Sequence, residues 1–366
     1  MNELTGREKM RRGKIRAGII LFSITVCVIC GCTQKEEKNI EAEIAYVKYD
    51  RDTIVTIVSD DGDWNTGLLL NELSEKHGVR VTVAGIVQWI EPLLKEWKAL
   101  EREGNIELIS HSYTHIKMGE EDKVGEAELR HQIFDSIEFY SKNFKTHQIA
   151  FICPENTMCE AGYDILRESG IYGIRQGGRG ENSLTPEAGI NGGQWYSLYT
   201  HGIGDVDTTE ERNEWVDNAV KNRKWLIEMW HNVSKDGDAG GYQEISYAVA
   251  DEHLNYIEKA QNDERVWAAT LTEAIKYIWE REYSEVKAWY DGSAIRVSLQ
   301  CENLPKEIFN LPVTVKLFLP EELEELTEEN FHLNNKEEVR MVTEEETVYL
   351  EFEMSPNKKD LKIKID

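Results

Sequence analysis

Short apolar runs rich in β-branched residues alternate with amphipathic segments between residues 44 and 282. The runs have the length of buried strands, and apolar positions between them recur at helical spacing. Parallel strands joined by helices need cover on both faces, so this rhythm predicts an α/β fold, a closed or nearly closed (β/α) barrel. The predicted strands are 53–59, 80–85, 106–110, 148–152, 171–175, 194–199, 226–230 and 265–269, and the clearest helices are 68–77, 89–103 and 126–143.

The pattern changes after residue 283. Apolar and polar residues alternate over 286–290 and 294–301, and Asp291-Gly292-Ser293 between them is typical of a hairpin turn. Further strands are predicted at 313–319, 347–354 and 361–365. We therefore expect a small all-β, sandwich-like domain over 284–366, which could bind glycan or act only as a packing or spacing module.

The first residues have the features of an export signal. A basic segment precedes an uncharged, largely apolar run from Ala17 to Gly31, which is shorter than the roughly 18–20 residues that span a bilayer. The run ends in Cys30-Gly31-Cys32 and resembles the lipobox of bacterial lipoproteins, which implies lipidation of Cys32. We thus expect a signal peptide over 1–31, a polar tether over 32–43 and a barrel over 44–283. An ordinary signal peptide or an uncleaved anchor are the alternatives.

Composition narrows the functional class. The chain has 366 residues and a net charge of −26, which is unsuited to nucleic acid because phosphate binding requires a basic surface. Hydrophobic residues make up 40%, enough for a packed core. After processing only Cys32, Cys153, Cys159 and Cys301 remain, too few for a disulfide scaffold. Cys153 and Cys159 could form one small disulfide or stay as free thiols.

Polar residues with metal-binding chemistry follow two predicted strands. Asp60 and Asp61 come directly after the first strand, and His111 and His115 follow the third. A spacing of four places both imidazoles on one face if the segment is helical, and the tips of neighbouring parallel strands lie close together. We expect Asp61, His111 and His115 to hold one divalent ion and to leave a position open to water.

These motifs resemble the polysaccharide deacetylases, metal-dependent carbohydrate esterases with a distorted (β/α) barrel, over about residues 50–282. The segment from Ser59 to Gly62 looks like the family's first motif, and the segment from His111 to His115 looks like the second. The resemblance implies that Asp60 is the general base and that Asp61, His111 and His115 bind the metal.

Two further segments carry the resemblance less fully. Leu226 to His231 is similar to the last motif, which implies that His231 is the general acid; His201 is the rival because it too follows a predicted strand. The third motif is represented by a segment ending in Pro154, which the resemblance places in the groove wall. The family's Arg is missing there, and Ile152 or Cys153 stands near its position.

The resemblance implies hydrolysis of N- or O-acetyl groups on a polysaccharide at the bacterial cell surface. The cofactor is expected to be Zn²⁺, although these ligands also accept Co²⁺, Ni²⁺ or Mn²⁺. Trp64, two residues after the Asp-Asp-Gly turn, is the aromatic residue we expect to line the groove. Two alternatives stay open: a catalytically silent glycan-binding lipoprotein, favoured by the missing Arg, and a related metal amidohydrolase on a small C–N substrate.

Overall fold

The computed structural model describes residues 37–187, 190–202, 208–235, 241–334, 338–344, 347–357 and 361–366. The predicted signal peptide and Cys32 lie outside these residues. No helix in the described ranges is long and apolar enough to cross a membrane.

Strands and helices alternate up to Glu282, and the described residues beyond it form strands joined by turns and short 3₁₀ segments. The strands are β1 (Lys38–Ile40), β2 (Ala42–Ile44), β3 (Thr53–Ser59), β4 (Val81–Gly85), β5 (Ile106–Ser110), β6 (Ala150–Ile152), β7 (Gly173–Arg179), β8 (Asn182–Ser183), β9 (Leu198–Gly202), β10 (Lys224–Trp230), β11 (Val233–Ser234), β12 (Ile245–Ser246), β13 (Val266–Ala268), β14 (Ser284–Tyr290), β15 (Ala294–Cys301), β16 (Val313–Phe318), β17 (Phe331–Leu333), β18 (Arg340–Glu344), β19 (Thr347–Met354) and β20 (Leu361–Ile365). The helices are α1 (Trp64–His77), α2 (Val87–Ile90), α3 (Leu94–Glu103), α4 (Glu126–Arg130), α5 (Ser136–Asn143), α6 (Glu160–Glu168), α7 (Thr209–Asn222), α8 (Tyr247–Asn262) and α9 (Leu271–Glu282), and one π turn joins α4 to α5.

The predicted barrel is confirmed. Its strands follow the order β5-β4-β3-β10-β9-β7-β6, all parallel, and β13 pairs with the first half of β3 where β4 pairs with the second half. All seven residues of β3 are buried, as expected for a central strand covered on both faces.

A side chain bridges β5 to the segment that leads into β6. Gln148, just before β6, accepts a hydrogen bond from the Ser110 N–H at 3.1 Å and donates one to the Leu108 carbonyl oxygen at 3.1 Å. The Gln148 side-chain amide thus makes the hydrogen bonds to β5 that the backbone of an adjacent strand would make if the sheet continued. This contact brings the end of β5, which precedes His111, to the side of the barrel where β6 begins.

One predicted strand is wrong in position. Residues 194–199 were expected to be extended, but Ile190–Tyr196 is a 3₁₀ segment and the strand begins at Leu198. Gly192 and Gly193 both have positive φ, and a Cβ on Gly192 would lie 2.4 Å from the Tyr196 ring. The glycines therefore allow a compact turn that hydrophobic alternation alone does not reveal.

Two antiparallel sheets form the sandwich-like region, in the orders β1-β14-β15-β20-β17 and β18-β19-β16-β2. The expected tether of 32–43 is wrong from Lys38 onward, because β1 pairs with β14 and β2 pairs with β16. Ile40 is buried, whereas Lys38 and Glu43 are exposed. Residues 38–44 alternate apolar and polar side chains over a short stretch, and this is enough to add one edge strand to each sheet. The charged residues of the segment are the reason that its sequence resembles a linker.

The barrel and the sandwich share one hydrophobic core. At their junction the Tyr277 hydroxyl donates to the Ala45 carbonyl oxygen at 2.9 Å, and the Leu311 N–H donates to Glu280 at 2.8 Å. The sandwich meets the barrel through α9, whose last turn leads directly into β14. It therefore packs at the end of the barrel where the strands begin, opposite the end where the polar motifs lie.

Candidate active site

The two aspartates stand at the tip of β3 because the backbone there is pinned on both sides. The Asp60 N–H donates to the Trp230 carbonyl oxygen at 2.8 Å, and the Asp61 carbonyl oxygen accepts from the Ile86 N–H at 3.0 Å. Asp61 has a φ of 74° and Gly62 a φ of 79°. A Cβ on Gly62 would lie 2.8 Å from Gly85 Cα, so glycine is required at this turn.

The two predicted histidines meet Asp61 without the helix that their spacing suggested. The segment after β5 is irregular, and Ser112 and His115 have φ values of 69° and 62°. The Ser112 hydroxyl accepts from the His115 N–H at 3.0 Å and thereby holds this turn. The three side chains expected from the sequence to share one ion therefore lie together, but an irregular turn rather than a helical one brings them there.

The three side chains form a cluster fit for one cation. Nε2 of His111 and Nε2 of His115 lie 3.6 Å and 3.5 Å from Asp61 Oδ1, and the potential ligand atoms are all within 4.8 Å of one another. His111 Nδ1 lies 3.0 Å from the Ile152 carbonyl oxygen, so it carries the proton and leaves Nε2 free to coordinate. Asp61 Oδ1 is buried without a hydrogen-bond partner, so it is available to bind a cation.

The pKa values of the three side chains are compatible with cation binding. Burial, followed by the neighbouring charge of Asp60, raises the pKa of Asp61 to about 6. Burial lowers the pKa of His111 to about 4 and also lowers that of His115. At neutral pH the cluster therefore presents two neutral imidazoles and one carboxylate, the protonation state that metal binding requires.

Asp60 lies beside the cluster and is paired with an arginine from another strand. Arg175, fully buried on β7, donates from its guanidinium to Asp60 Oδ2 and lies 3.4 Å from Asn156 Oδ1. Arg175 pairs in register with Ile152, and its carbonyl oxygen accepts from the Cys153 N–H at 3.1 Å. A guanidinium therefore lies beside Asp60, and it comes from β7 rather than from the Ile152–Cys153 segment on which the family resemblance leads one to expect it. Arg175 was not predicted as a site residue from the sequence, although an arginine at the end of a predicted buried strand was a visible signal.

His231 follows β10 and faces the same cavity as the aspartates. Its Nδ1 is buried without a hydrogen-bond partner, and the Tyr242 ring stands edge-on to the imidazole at a centroid distance of 4.8 Å. Burial lowers the pKa of His231, and the charges of Asp60 and Asp61 oppose this effect. His201 lies elsewhere, on β9 against Trp215, and does not line the cavity.

The cavity has a volume of about 320 Å³ and opens at the ends of the parallel strands. Its floor contains Asp60, Asp61 and the three histidines His111, His115 and His231, and its rim contains Glu155, Asn156, Tyr242 and Gln243. These rim residues were not identified from the sequence.

The two residues expected to contact substrate lie near the cavity but do not line it. Trp64 packs edge-on against Trp97 at a centroid distance of 5.0 Å, and Pro154 is buried behind the rim. Cys153 lines the wall instead. Cys153 and Cys159 are both free, and burial raises the pKa of the Cys153 thiol to about 12, so this thiol is not a nucleophile at neutral pH.

Comparisons with known proteins concern the fold. Neither the protein-family models nor the curated proteins contain a match to this chain. Solved structures that are similar include a Mycobacterium smegmatis protein assigned to the polysaccharide deacetylases, at a TM-score of 0.46 and 13% identity over 66% of this chain and 95% of that one. A CE4 family pseudoenzyme from Bacillus anthracis matches at a TM-score of 0.41 and 15% identity, over 61% of this chain and 65% of that one.

A third similar structure is a family 4 acetyl xylan esterase from Clostridium thermocellum in complex with a cobalt ion. It matches at a TM-score of 0.40 and 17% identity, over 60% of this chain and 89% of that one. The neighbours thus include both esterases and a pseudoenzyme. At these identities and scores, what this chain does must be inferred from its own side chains.

Proposed function

We propose that this protein is a metal-dependent deacetylase that hydrolyses N- or O-acetyl groups on a polysaccharide at the bacterial cell surface. The observation that carries the proposal is the arrangement in one cavity of a three-ligand cluster, a carboxylate paired with a buried guanidinium, and a separate imidazole. Hydrolysis of an acetyl group needs these three parts: an electrophilic centre, a base for water and an acid for the leaving group.

The cluster supplies the first part. A divalent ion held by Asp61, His111 and His115, Zn²⁺ or alternatively Co²⁺, Ni²⁺ or Mn²⁺, would supply Lewis acidity toward the acetyl carbonyl and lower the pKa of water in the cleft. The remaining chemistry falls to the protein side chains.

Asp60 is the base in this proposal. One of its oxygens, Oδ2, is held by Arg175, whereas Oδ1 is buried without a partner. The guanidinium fixes the carboxylate plane and leaves Oδ1 free to accept a proton from the attacking water. His231 is the acid in this proposal. The charges of Asp60 and Asp61 oppose the effect of burial on its pKa and favour the protonated imidazole, which would give its proton to the departing amine or alkoxide as acetate leaves.

Arg175 bears on the main alternative. The missing arginine of the third motif favoured a catalytically silent glycan-binding protein, and the buried Arg175–Asp60 pair removes that support. A small-molecule amidohydrolase is favoured by a closed pocket, whereas here the rim residues Glu155, Asn156 and Tyr242 are exposed. We therefore prefer a polymer substrate that approaches from solvent.

The cell-surface location is proposed on the sequence alone, from the basic segment, the apolar run and Cys32. Cys32→Ser should release the protein from the membrane fraction in the native host, because lipidation needs the thiol. Unchanged membrane association would contradict the lipid anchor without touching the proposed activity.

The activity is tested by acetate release from N-acetylglucosamine oligomers, peptidoglycan and acetylated xylan, by a soluble fragment beginning at Glu37 with Zn²⁺ or Co²⁺ added. Asp60→Asn should keep the bound metal and lose most turnover, whereas His111→Ala should lose the metal. Metal retained by His111→Ala, or full turnover by Asp60→Asn, would refute the assignment.

A further inference from the structure

The rim of the cavity holds a carboxylate that the proposed reaction does not use. Glu155 lines the cavity, and half of its side chain is exposed to solvent. Burial is the largest influence on the pKa values of Asp61 and His115; the charge of Glu155 adds to the rise at Asp61 and opposes the fall at His115. The field of Glu155 therefore reaches the position where substrate would lie.

The backbone that carries Glu155 is strained. Glu155 and Asn156 have φ values of 51° and 55°, a left-handed pair that residues with a side chain rarely adopt. The Asn156 side chain packs on Gly177, where a Cβ would lie 2.3 Å from Asn156 Cγ, and Arg175 approaches its Oδ1 at 3.4 Å. The turn is thus held in place by the same guanidinium that holds Asp60.

Positive charge is scarce at this rim. In the described part of the chain no lysine or arginine lines the cavity, and Arg175 is fully buried against Asp60. Lys117 is the nearest partner recorded for Glu155, at 3.9 Å, and 60% of its side chain is exposed, so solvent screens the pair. Glu155 therefore presents largely uncompensated negative charge to an incoming ligand.

We infer that Glu155 selects a glycan that carries an ammonium group, namely an amino-sugar polymer with free amines beside its acetylated residues. This rests on the proposed function and narrows its substrate. Glycans with carboxylate or phosphate groups are repelled from the rim, in keeping with the net charge of −26. Lys117 opposes the selection, since it partly neutralises Glu155.

The test is equilibrium binding, because it is independent of turnover. Glucosamine tetramer and cellotetraose, which carries a hydroxyl group in place of each amine and has no acetyl group to hydrolyse, are titrated by calorimetry into the zinc-loaded fragment at about pH 6, where the free amines are protonated. We expect the charged oligomer to bind about 5-fold tighter at low salt, and this preference to fall as salt is raised. Glu155→Gln should abolish the preference, and Lys117→Gln should increase it.

Glu121→Gln is the matched control, since it removes an exposed acidic group that does not line the cavity. It should leave the preference unchanged. Equal binding of the two oligomers by the wild type, or a preference that survives in Glu155→Gln, overturns the inference. Absent acetate release overturns the proposed function instead, so the two failures are distinguishable.

Discussion

Replacing Arg175 with Gln gives the sharpest prediction, because this residue connects Asp60, the proposed base, to Asn156 at the rim of the cavity. Arg175 is fully buried and Asp60 is 4% exposed, so the substitution leaves a carboxylate without its counter-ion in a site that water barely reaches. Removing one partner of a buried pair costs about 3–5 kcal/mol. We expect a loss of unfolding free energy near the lower end, about 3 kcal/mol, because the cavity gives Asp60 limited access to water.

Turnover should fall further than stability explains. Without the guanidinium the Asp60 carboxylate is free to rotate away from water, and loss of a positioned base lowers kcat by about 10²–10³. The assays are urea denaturation and acetate release at saturating substrate, with metal content measured in parallel. Arg130→Gln is the control, since its ion pairs with Glu126 and Glu168 are exposed and its loss should leave the free energy of unfolding almost unchanged.

A second substitution tests whether Asp60 needs an arginine at position 175 or only a guanidinium group close to it. Cys153 is the neighbour of Arg175 across the strand pair and stands near the position of the arginine in the family motif. In the Arg175→Gln background, the additional substitution Cys153→Arg should raise kcat at least about tenfold. A kcat for Arg175→Gln within a factor of about three of the wild type would refute the reasoning, whatever the double variant does.

Three other outcomes follow. His231→Gln should keep its metal and lose about 10²-fold in kcat, whereas His201→Gln should keep both, as metal analysis and acetate release will show. Protons compete with the metal for Asp61, so metal affinity should fall about tenfold per pH unit below the Asp61 pKa of about 6. His111 should add to this competition only near its own pKa of about 4, and metal titrations against a chelator at several pH values measure the slope. Burial raises the pKa of Glu280 to about 8 from 4.5, so the native state holds a proton that the unfolded state has lost between these values, and stability falls as pH rises through this window. Glu280→Gln should remove that fall, about 3 kcal/mol between pH 5 and 8 in urea denaturation.

The strand rhythm was readable because its cause is local. A buried parallel strand such as Thr53–Ser59 contains no charged residue, only apolar residues and small hydroxyl residues, and an adjacent pair such as Asp60 and Asp61 directly after it stands out against that background. The strands that the sequence analysis misjudged owe their form to other causes. The segment 194–199 is shaped by a glycine pair, and β1 and β2 are strands only because sheet edges of the distant C-terminal region accept them.

The residues of the site likewise include some that the sequence predicts and one, Arg175, that it does not. Asp61, His111 and His115 come from strand tips whose nearness follows from the parallel order, so topology alone brings them together. Arg175 was missed because the requirement at this place is for a guanidinium near Asp60, and two neighbouring strands can each supply it. A sequence motif can predict which residue contacts Asp60 only when a single backbone position lies within reach of that carboxylate. Since β6 and β7 lie side by side with Ile152 opposite Arg175, we expect an arginine on either strand to place its charge near Asp60.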